Sequence, residues 1–586
     1  MKTLCCLIPP LFLLSCFLSL VLSFSPFNTH LPKHHCLDDQ RSPLLQLQNH
    51  LYYAHSDFTF SSKFEVWDPN SDCCSWEGVS CDSLGHVIGL DLSFKNLSGS
   101  FHSIFHLHHL HRLNLAGNYF NTTLLSYGFD KLPHLTHLNL SNSCFHGQIP
   151  LEMSNLTRLV SLDLSHQGYY PTLKLEKPNL KTLIKNLKFL TELYLDEVDI
   201  SSESSKWCET TSFALSNLQV LSLSWCGLEG PLCPSLSALP FLSKLVLDGN
   251  PISHLPPNFL EISSRLVSLS LKGCDLSGHF PTEILLLPKI QSIDISWNYQ
   301  LMGLLPEFPS NNALRSLSLS YTNFSGKLPE SIGNLKFLRD LALVGCNFFG
   351  SIPSSIENLT HLVNLDISDN NFSGHFLTKL FLLPKIQSIT ILFSEKHMGQ
   401  LLEFPSNNAL RSLSLFDANF NGKLSESISN LKFLTDLSLS RCNFVGSIPS
   451  SIANLSHLVN LDLSDNHFSG SIPSSIANLS HLVKLDLSEN HFGGSISSSL
   501  FTLPSLKMLR KLGVVGKFEL YDEVYGHKGY NFNFQKLFDS SDNVRSQANV
   551  VYCKSENRVA DVLTKAVSRP RLEFLRTQLG VSKKNL

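Results

Sequence analysis

The chain has 586 residues, 43% of them apolar and only 16% charged, which is ample material for a large core and excludes global disorder. From Lys507 onward 15 Lys+Arg face 8 Asp+Glu, so of the totals of 45 and 48 the body keeps 30 and 40. A body at −10 argues against nucleic-acid binding, and the last 80 residues, at +7, stand apart from it.

In chain order, Lys2 precedes an apolar stretch from Leu7 to Phe24 flanked by the small residues Ser23 and Ser25, which predicts a secretory signal peptide over residues 1–24. Pro9 and Pro10 leave its usable helix short of the roughly 20 residues that a bilayer span takes. The best later candidate, Leu380 to Phe393, is interrupted by Lys385, Gln387 and Ser388. A secreted or cell-surface protein is expected. Residues 25–85 contain the cysteines Cys36, Cys73, Cys74 and Cys81, an even and closely spaced set that implies two disulfides in an oxidising compartment, with three connectivities open. No C-x-x-C pair or suitably spaced histidine accompanies them, so no metal is expected.

Residues 86–506 repeat at a spacing near 24 residues, in about 17 copies of L-x-x-L-x-L-x-x-N-x-L/F-x-G-x-I-P. The L-x-L core alternates with period two and predicts a short strand with inward leucines; successive coils set these strands in parallel about 4.8 Å apart. One coil cannot bury its own leucines, whereas a stack can. Three residues after the second strand leucine stands an Asn (Asn118, Asn250, Asn298, Asn370, Asn466, Asn490), whose amide is expected to satisfy turn backbone groups as a ladder. Cys226, Cys274, Cys346 and Cys442 occupy the same place and read as ladder residues, not reactive thiols. L-P-K-I-Q-S-I from Leu287 recurs from Leu383, and E-F-P-S-N-N-A-L-R-S-L-S-L from Glu307 recurs from Glu403, an offset of 96 residues that marks tandem duplication of four coils.

The template with its G-x-I-P extension resembles the plant extracellular subclass of leucine-rich repeats. Cys36-Leu37-Asp38-Asp39-Gln40, Trp67-Asp68-Pro69 and Asp72-Cys73-Cys74-Ser75-Trp76-Glu77-Gly78-Val79-Ser80-Cys81 are similar to the N-terminal cap of leucine-rich-repeat receptor-like proteins. The resemblance implies an α/β repeat solenoid: a leucine-rich-repeat superhelix with a parallel sheet of short strands on the concave face and an N-terminal disulfide cap. It also implies the pairing of Cys36 with Cys73 and of Cys74 with Cys81. Receptor-like proteins continue into a C-terminal cap, an acidic stretch and a membrane helix, none of which follows the repeats here, and no H-R-D or D-F-G series marks a kinase.

Residues 507–549 form an unassigned linker. From Val550 to about 582, V-V-Y-C-K-S-E-N-R-V-A-D-V-L-T-K-A-V-S-R-P-R resembles the end of copia-type retrotransposon polyproteins. Asp561 matches one metal-binding carboxylate of their ribonuclease H region, but its partner carboxylates are missing, so the segment is read as a fused fragment without nuclease activity.

Solenoids of this kind bind ligands through the variable residues flanking the strand leucines. Aligning the coils puts Tyr194, Trp225, Trp297, Tyr321, Phe393, Phe416 and Arg441 on or beside that face, and exposed aromatics are typical anchors. The histidines at 102, 106, 108, 109, 111, 134 and 137 read as solvated filler, with Arg112 and His137 at equivalent places in adjacent coils. Glycosylation sequons stand at Asn96, Asn121, Asn155, Asn323, Asn358, Asn371, Asn454 and Asn478; that at Asn139 lies between strand leucines, where a glycan would obstruct the sheet. The expected function is non-enzymatic recognition of a protein or peptide ligand in defence or developmental signalling. A membrane co-receptor kinase is a partner that the resemblance allows, and no cofactor or nucleic acid is expected. The alternatives are a secreted inhibitor of polysaccharide-degrading enzymes and a non-functional gene-fusion product.

Overall fold

The structure is a computed structural model that describes residues 35–510 except 54–65, 121–124, 126, 167–172, 374–376, 393–396, 400–402, 407–408, 421, 494–499 and 501–502. The expected signal peptide, the polyprotein-like segment, Asn121 and Phe393 lie outside the described residues.

Strand pairings run in one line from Val79–Cys81 to Met508–Arg510, nineteen strands among the described residues. No pairing joins the first to the last, so the sheet is an open ribbon. Its register is set by the leucine period: Leu221 faces Leu245, Leu245 faces Leu269, and Leu269 faces Ile293, with each central residue buried and its neighbours part-exposed except Ser222, which is buried as well. That is the burial pattern of a strand with one face in a core. The opposite side of most coils is a short 3-10 helix, replaced by a short α-helix at Leu180–Ile184, Trp207–Ala214, Phe259–Ser263 and Leu377–Phe381. Six of the 3-10 helices start after a proline, at Pro150, Pro281, Pro329, Pro353, Pro449 and Pro473, where the ring presets φ between −60° and −70°. Between the two sides a second run of parallel strands links Ser277–His279 through Gln300–Leu304, Asn323–Gly326 and Asn347–Ser351 to Asn371–Ser373.

Two further ladders fill the interior. Buried phenylalanines stack from coil to coil: Phe420 on Phe444 at 5.4 Å, Phe444 on Phe468 at 5.8 Å, and Phe468 on Phe492 at 6.2 Å between ring centroids. The polar ladder has the form expected of it. Asn250 donates Nδ2 to the carbonyls of Leu223 (2.7 Å) and Leu247 (2.8 Å), and its Oδ1 accepts from the backbone N–H of Cys226 and Leu228. Cys274, one coil on, donates Sγ to the same Leu247 carbonyl at 3.2 Å, while Asn298 serves the backbone of Cys274 and Leu276. Cys226, Cys346 and Cys442 donate likewise to the carbonyls of Leu195, Leu319 and Leu415. These thiols are buried, and burial pushes Cys274 and Cys442 up to about 12, far from the thiolate that reactivity requires.

The N-terminal end of the ribbon is covered. The helix Asp38–His50 buries Gln40, Pro43, Leu44 and Leu47, and the strand Val79–Cys81 pairs antiparallel with the first coil strand, Val87–Asp91. Cys36 is bonded to Cys73 and Cys74 to Cys81, so of the three possible connectivities the structure has the one that the resemblance implies. Trp67 stacks on Trp76 at 5.3 Å behind them, each indole N–H bonded, to the Glu77 carbonyl and to Ser71 Oγ.

Two features depart from the sequence reading. A third disulfide joins Cys208, in the helix Trp207–Ala214, to Cys233, one coil later. The ladder also continues past Leu506: Met508–Arg510 pairs with Lys484–Asp486 and sets Leu509 against Leu485, 24 residues away. Leu485, Leu487 and Leu500, in the coil before it, are buried. The period is obscured there because Lys511 stands where the second strand leucine is due.

Candidate recognition edge

Three residues after the end of most concave strands the backbone turns through a left-handed residue, directly before the ladder position. The φ values are 64° at Glu197, 57° at Trp225, 69° at Gly249, 61° at Gly273, 61° at Trp297, 57° at Tyr321 and 62° at Gly345. Gly and Asp adopt this conformation at little cost, and Asp369, Asp417 and Asp465 hold it further along. Trp, Tyr and Arg do so at about 1–2 kcal/mol each. Trp225, Trp297, Tyr321 and Arg441 are therefore at strained positions on the lateral edge of the sheet, beside the concave face and not on it.

The aromatic rings are accommodated by the coil that follows. A Cβ on Gly249 would come within 2.2 Å of the Trp225 ring, and one on Gly345 within 2.7 Å of the Tyr321 ring, so each glycine both turns the chain and lets the ring lie flat on its backbone. Trp297 lies 4.2 Å from Tyr321 and meets Tyr299 edge-on at 6.2 Å between centroids. Trp225 is 65% exposed, Trp297 43% and Tyr299 65%. Three rings in contact thus face outward from adjacent coils, and Trp225 closes a shallow hollow of about 480 Å³ with Glu197, Asp199 and Gly227. Sequence reading missed Tyr299; its signal is its place two residues after Trp297, on the same side of the turn.

Tyr194 and Arg441 stand elsewhere. Tyr194 ends the strand Glu192–Tyr194 and lines a polar trough of about 650 Å³ on the concave face with Asp91, Arg112, His137, Asp163 and Glu192. Burial raises the carboxyl of Asp163; burial, then neighbouring Arg112, lowers His137. Arg441 is held by its own coils, with Nε 3.3 Å from Asp465 and 3.9 Å from Asp417 and the guanidinium over Phe416. The histidines stack across coils, His86 on His109 at 3.9 Å, and His134 meets Arg158 at 3.0 Å. Asn155, Asn323, Asn358, Asn371, Asn454 and Asn478 are exposed, Asn96 is half-buried, and Asn139 is engaged on the sheet by Ser141.

The duplicated block supplies an internal comparison. At an offset of 96, Trp297 is matched by Phe393, Tyr299 by Glu395, Tyr321 by Asp417 and Gly345 by Arg441. The aromatic patch belongs to the first copy.

The chain matches the leucine rich repeat N-terminal domain over residues 37–82 and the leucine rich repeat at 134–156, 217–239, 313–335, 433–455, 457–479 and 481–503. It is 36% identical over 334 residues to receptor-like protein 6 of Arabidopsis thaliana, an alignment covering 54% of this chain and 28% of the relative. It is 32% identical over 323 residues to receptor-like protein Cf-9 of Solanum pimpinellifolium, covering 52% and 31%. The chain thus spans under a third of the length of either relative. Among solved structures it is similar to the plant peptide hormone receptor RGFR1 in complex with RGF2, with a TM-score of 0.52, 27% identity, and coverage of 74% of this chain and 71% of that one. Among the described residues no helix is long and apolar enough to cross a membrane.

Proposed function

We propose that this chain is the ligand-recognition part of a plant receptor-like protein in defence or developmental signalling, that it works outside the cell without catalysis, and that its ligand is a peptide or protein. The observation that carries this reading is the patch of Trp297, Tyr299 and Tyr321, three contacting and outward-facing rings, two of them on strained backbone, where the leucines already fill the core. Strain kept at an exposed site signals a role other than packing. The likeness to receptor-like proteins and to a receptor holding a peptide hormone supports the ligand class. A co-receptor would complete the signal. The test is a display library of secreted plant peptides selected on the immobilised chain and counter-screened on Trp225→Ala, Trp297→Ala and Tyr321→Ala combined. Peptides that bind the parent and lose about tenfold or more on the variant are expected; selection that yields the same binders on both would refute the reading.

A further inference from the structure

The two long edges of the ribbon differ in charge. Sixteen turns of five residues lead into the coil strands from Arg112–Asn114 to Lys484–Asp486. These 80 positions contain ten Lys or Arg and no Asp or Glu, although the body's 40 acidic residues in 506 would place about six there by composition. Part of the exclusion is structural, since these turns present backbone carbonyls that take donors and repel carboxylates: His361 Nδ1 bonds the Lys336 carbonyl at 2.9 Å and His457 Nδ1 that of Lys432 at 3.1 Å. Carbonyls account for the missing acids but not for cations in place of neutral donors. Arg265, Lys289, Arg315, Lys336 and Arg339 occupy four successive turns, and among the described residues no carboxylate comes within 4.0 Å of any of the five. Phe337, 50% exposed, lies among them with the Arg315 guanidinium 5.9 Å above its ring.

The internal duplication shows which edge has been held constant. Between Leu287–Gly374 and Leu383–Gly470, 24 of 88 positions differ; 10 of these fall in the four turns that follow the coil strands (295–299, 319–322, 343–346 and 367–370) and 2 in the four turns before them. Lys289, Arg315, Lys336, Phe337 and His361 recur as Lys385, Arg411, Lys432, Phe433 and His457, and the ring pair keeps its geometry, 6.3 Å between Phe337 and His361 and 6.5 Å between Phe433 and His457. The edge that carries the aromatic patch has diverged, while the cationic edge keeps all but Arg339, whose place Thr435 takes in the second copy. The strand-leading side from Arg265 to Arg339 has no sequon; that at Asn358 stands between the two cationic stretches.

We propose that the strand-leading edge, from Arg265 to Lys432, binds a linear carboxylated polysaccharide. Cations recurring once per coil, about 4.8 Å apart, suit carboxylates carried at intervals along a chain, and the exposed Phe rings suit the C–H faces of sugar rings. Three of the cations and the Phe–His pair recur four coils on, roughly 19 Å away, which suits a polymer of repeating units that engages both copies. A folded protein or a peptide of unique sequence would have no use for a repeated subsite. The inference is independent of the aromatic patch on the opposite edge.

The full secreted chain is to be titrated with polygalacturonate, a short galacturonate oligomer, a neutral glucan and poly-L-glutamate, at low and at high salt. Expected are salt-sensitive binding of polygalacturonate, much weaker binding of the oligomer that cannot reach both copies, and none of the glucan. Lys289→Gln, Arg315→Gln, Lys336→Gln and Arg339→Gln combined should lower polygalacturonate binding about tenfold or more. Lys272→Gln with Lys484→Gln, off this edge, should leave it unchanged. All six side chains are solvent-facing, and unchanged thermal unfolding of both variants verifies their folds. Equal or tighter binding of poly-L-glutamate would overturn the proposal in favour of an acidic polypeptide. Binding that survives the fourfold variant, or no binding at all, would overturn it outright.

Discussion

At the scale of single residues the molecule separates strain from stability. Trp297 pays for a left-handed backbone and recovers part of that cost by resting against Tyr321. Trp297→Gly removes both terms, so the thermal unfolding of the secreted chain should move by no more than about 1 kcal/mol in either direction. A loss of the size seen for core truncation, about 2–5 kcal/mol, would mean that the ring is part of the core after all. Asp163 offers a second test, with a sign. Its Oδ1 accepts from the N–H and Oγ of Ser165, yet burial raises its carboxyl above the usual range. In strong acid both folded and unfolded chains hold the proton, and Asp163 costs the fold nothing. As pH rises past about 3.9 the unfolded chain ionises first, and stability is lost until the folded-state value is passed. Asp163→Asn keeps an acceptor and cannot ionise. Urea unfolding should find it equal to the parent in acid and more stable at neutral pH; an advantage of the same size at both would rule out ionisation as the cause.

At the scale of elements, what was legible in the sequence followed the leucines. Leu221, Leu245 and Leu269 repeat at 24 and so announce the strand, its inward face and its neighbour. The Asn and Cys of the ladder were legible for the same reason, because a fixed offset from the strand leucine puts a polar atom under the turn. Left-handed φ was not legible: Trp, Tyr and Arg do not announce it as Gly does, and only the backbone reveals that Trp297 shares the left-handed conformation of Gly273. The Cys208–Cys233 bond escaped because the segment around Trp207–Ala214 departs from the template, and nothing in a degenerate coil says which side chains face one another. The bond links the helix Trp207–Ala214 to the 3-10 helix Pro234–Ala238 across one coil, on the side away from the sheet. Cys208→Ser with Cys233→Ser should therefore cost up to about 3 kcal/mol, the loop-closure value for a span of this order. The cost should be confined to these coils, since a coil touches only its neighbours. Hydrogen exchange by mass spectrometry should show faster exchange around residues 200–240 and parental protection from about Leu317 onward; uniform loss of protection would refute that locality.

At the scale of the whole molecule, three surfaces share one ribbon: an aromatic patch on the strand-trailing edge, a polar trough near the N-terminal end of the concave face, and cations on the strand-leading edge. They remain separable because the core is a column of identical layers and no surface residue is needed to hold its neighbour's fold. The duplication makes this testable in one step. Deleting residues 287–382 joins Leu286 to Leu383, which lies in the same register as Leu287, so the strand Ser388–Leu392 falls beside Ser268–Ser270 where Ser292–Asp294 stood. Every ladder then continues: Leu269 meets Ile389 in place of Ile293, and the buried stack loses four layers without a gap. The deletion variant should be secreted, unfold in one transition and keep the parent's helix-to-strand balance by circular dichroism. It should lack the Trp297 patch while retaining Lys385, Arg411 and Lys432. A deletion shorter by half a coil puts turn residues opposite strand leucines and should not be secreted. If both deletions fold equally well, the register of the leucines is not what organises the solenoid; if neither does, the four-coil block is not an independent layer of the stack.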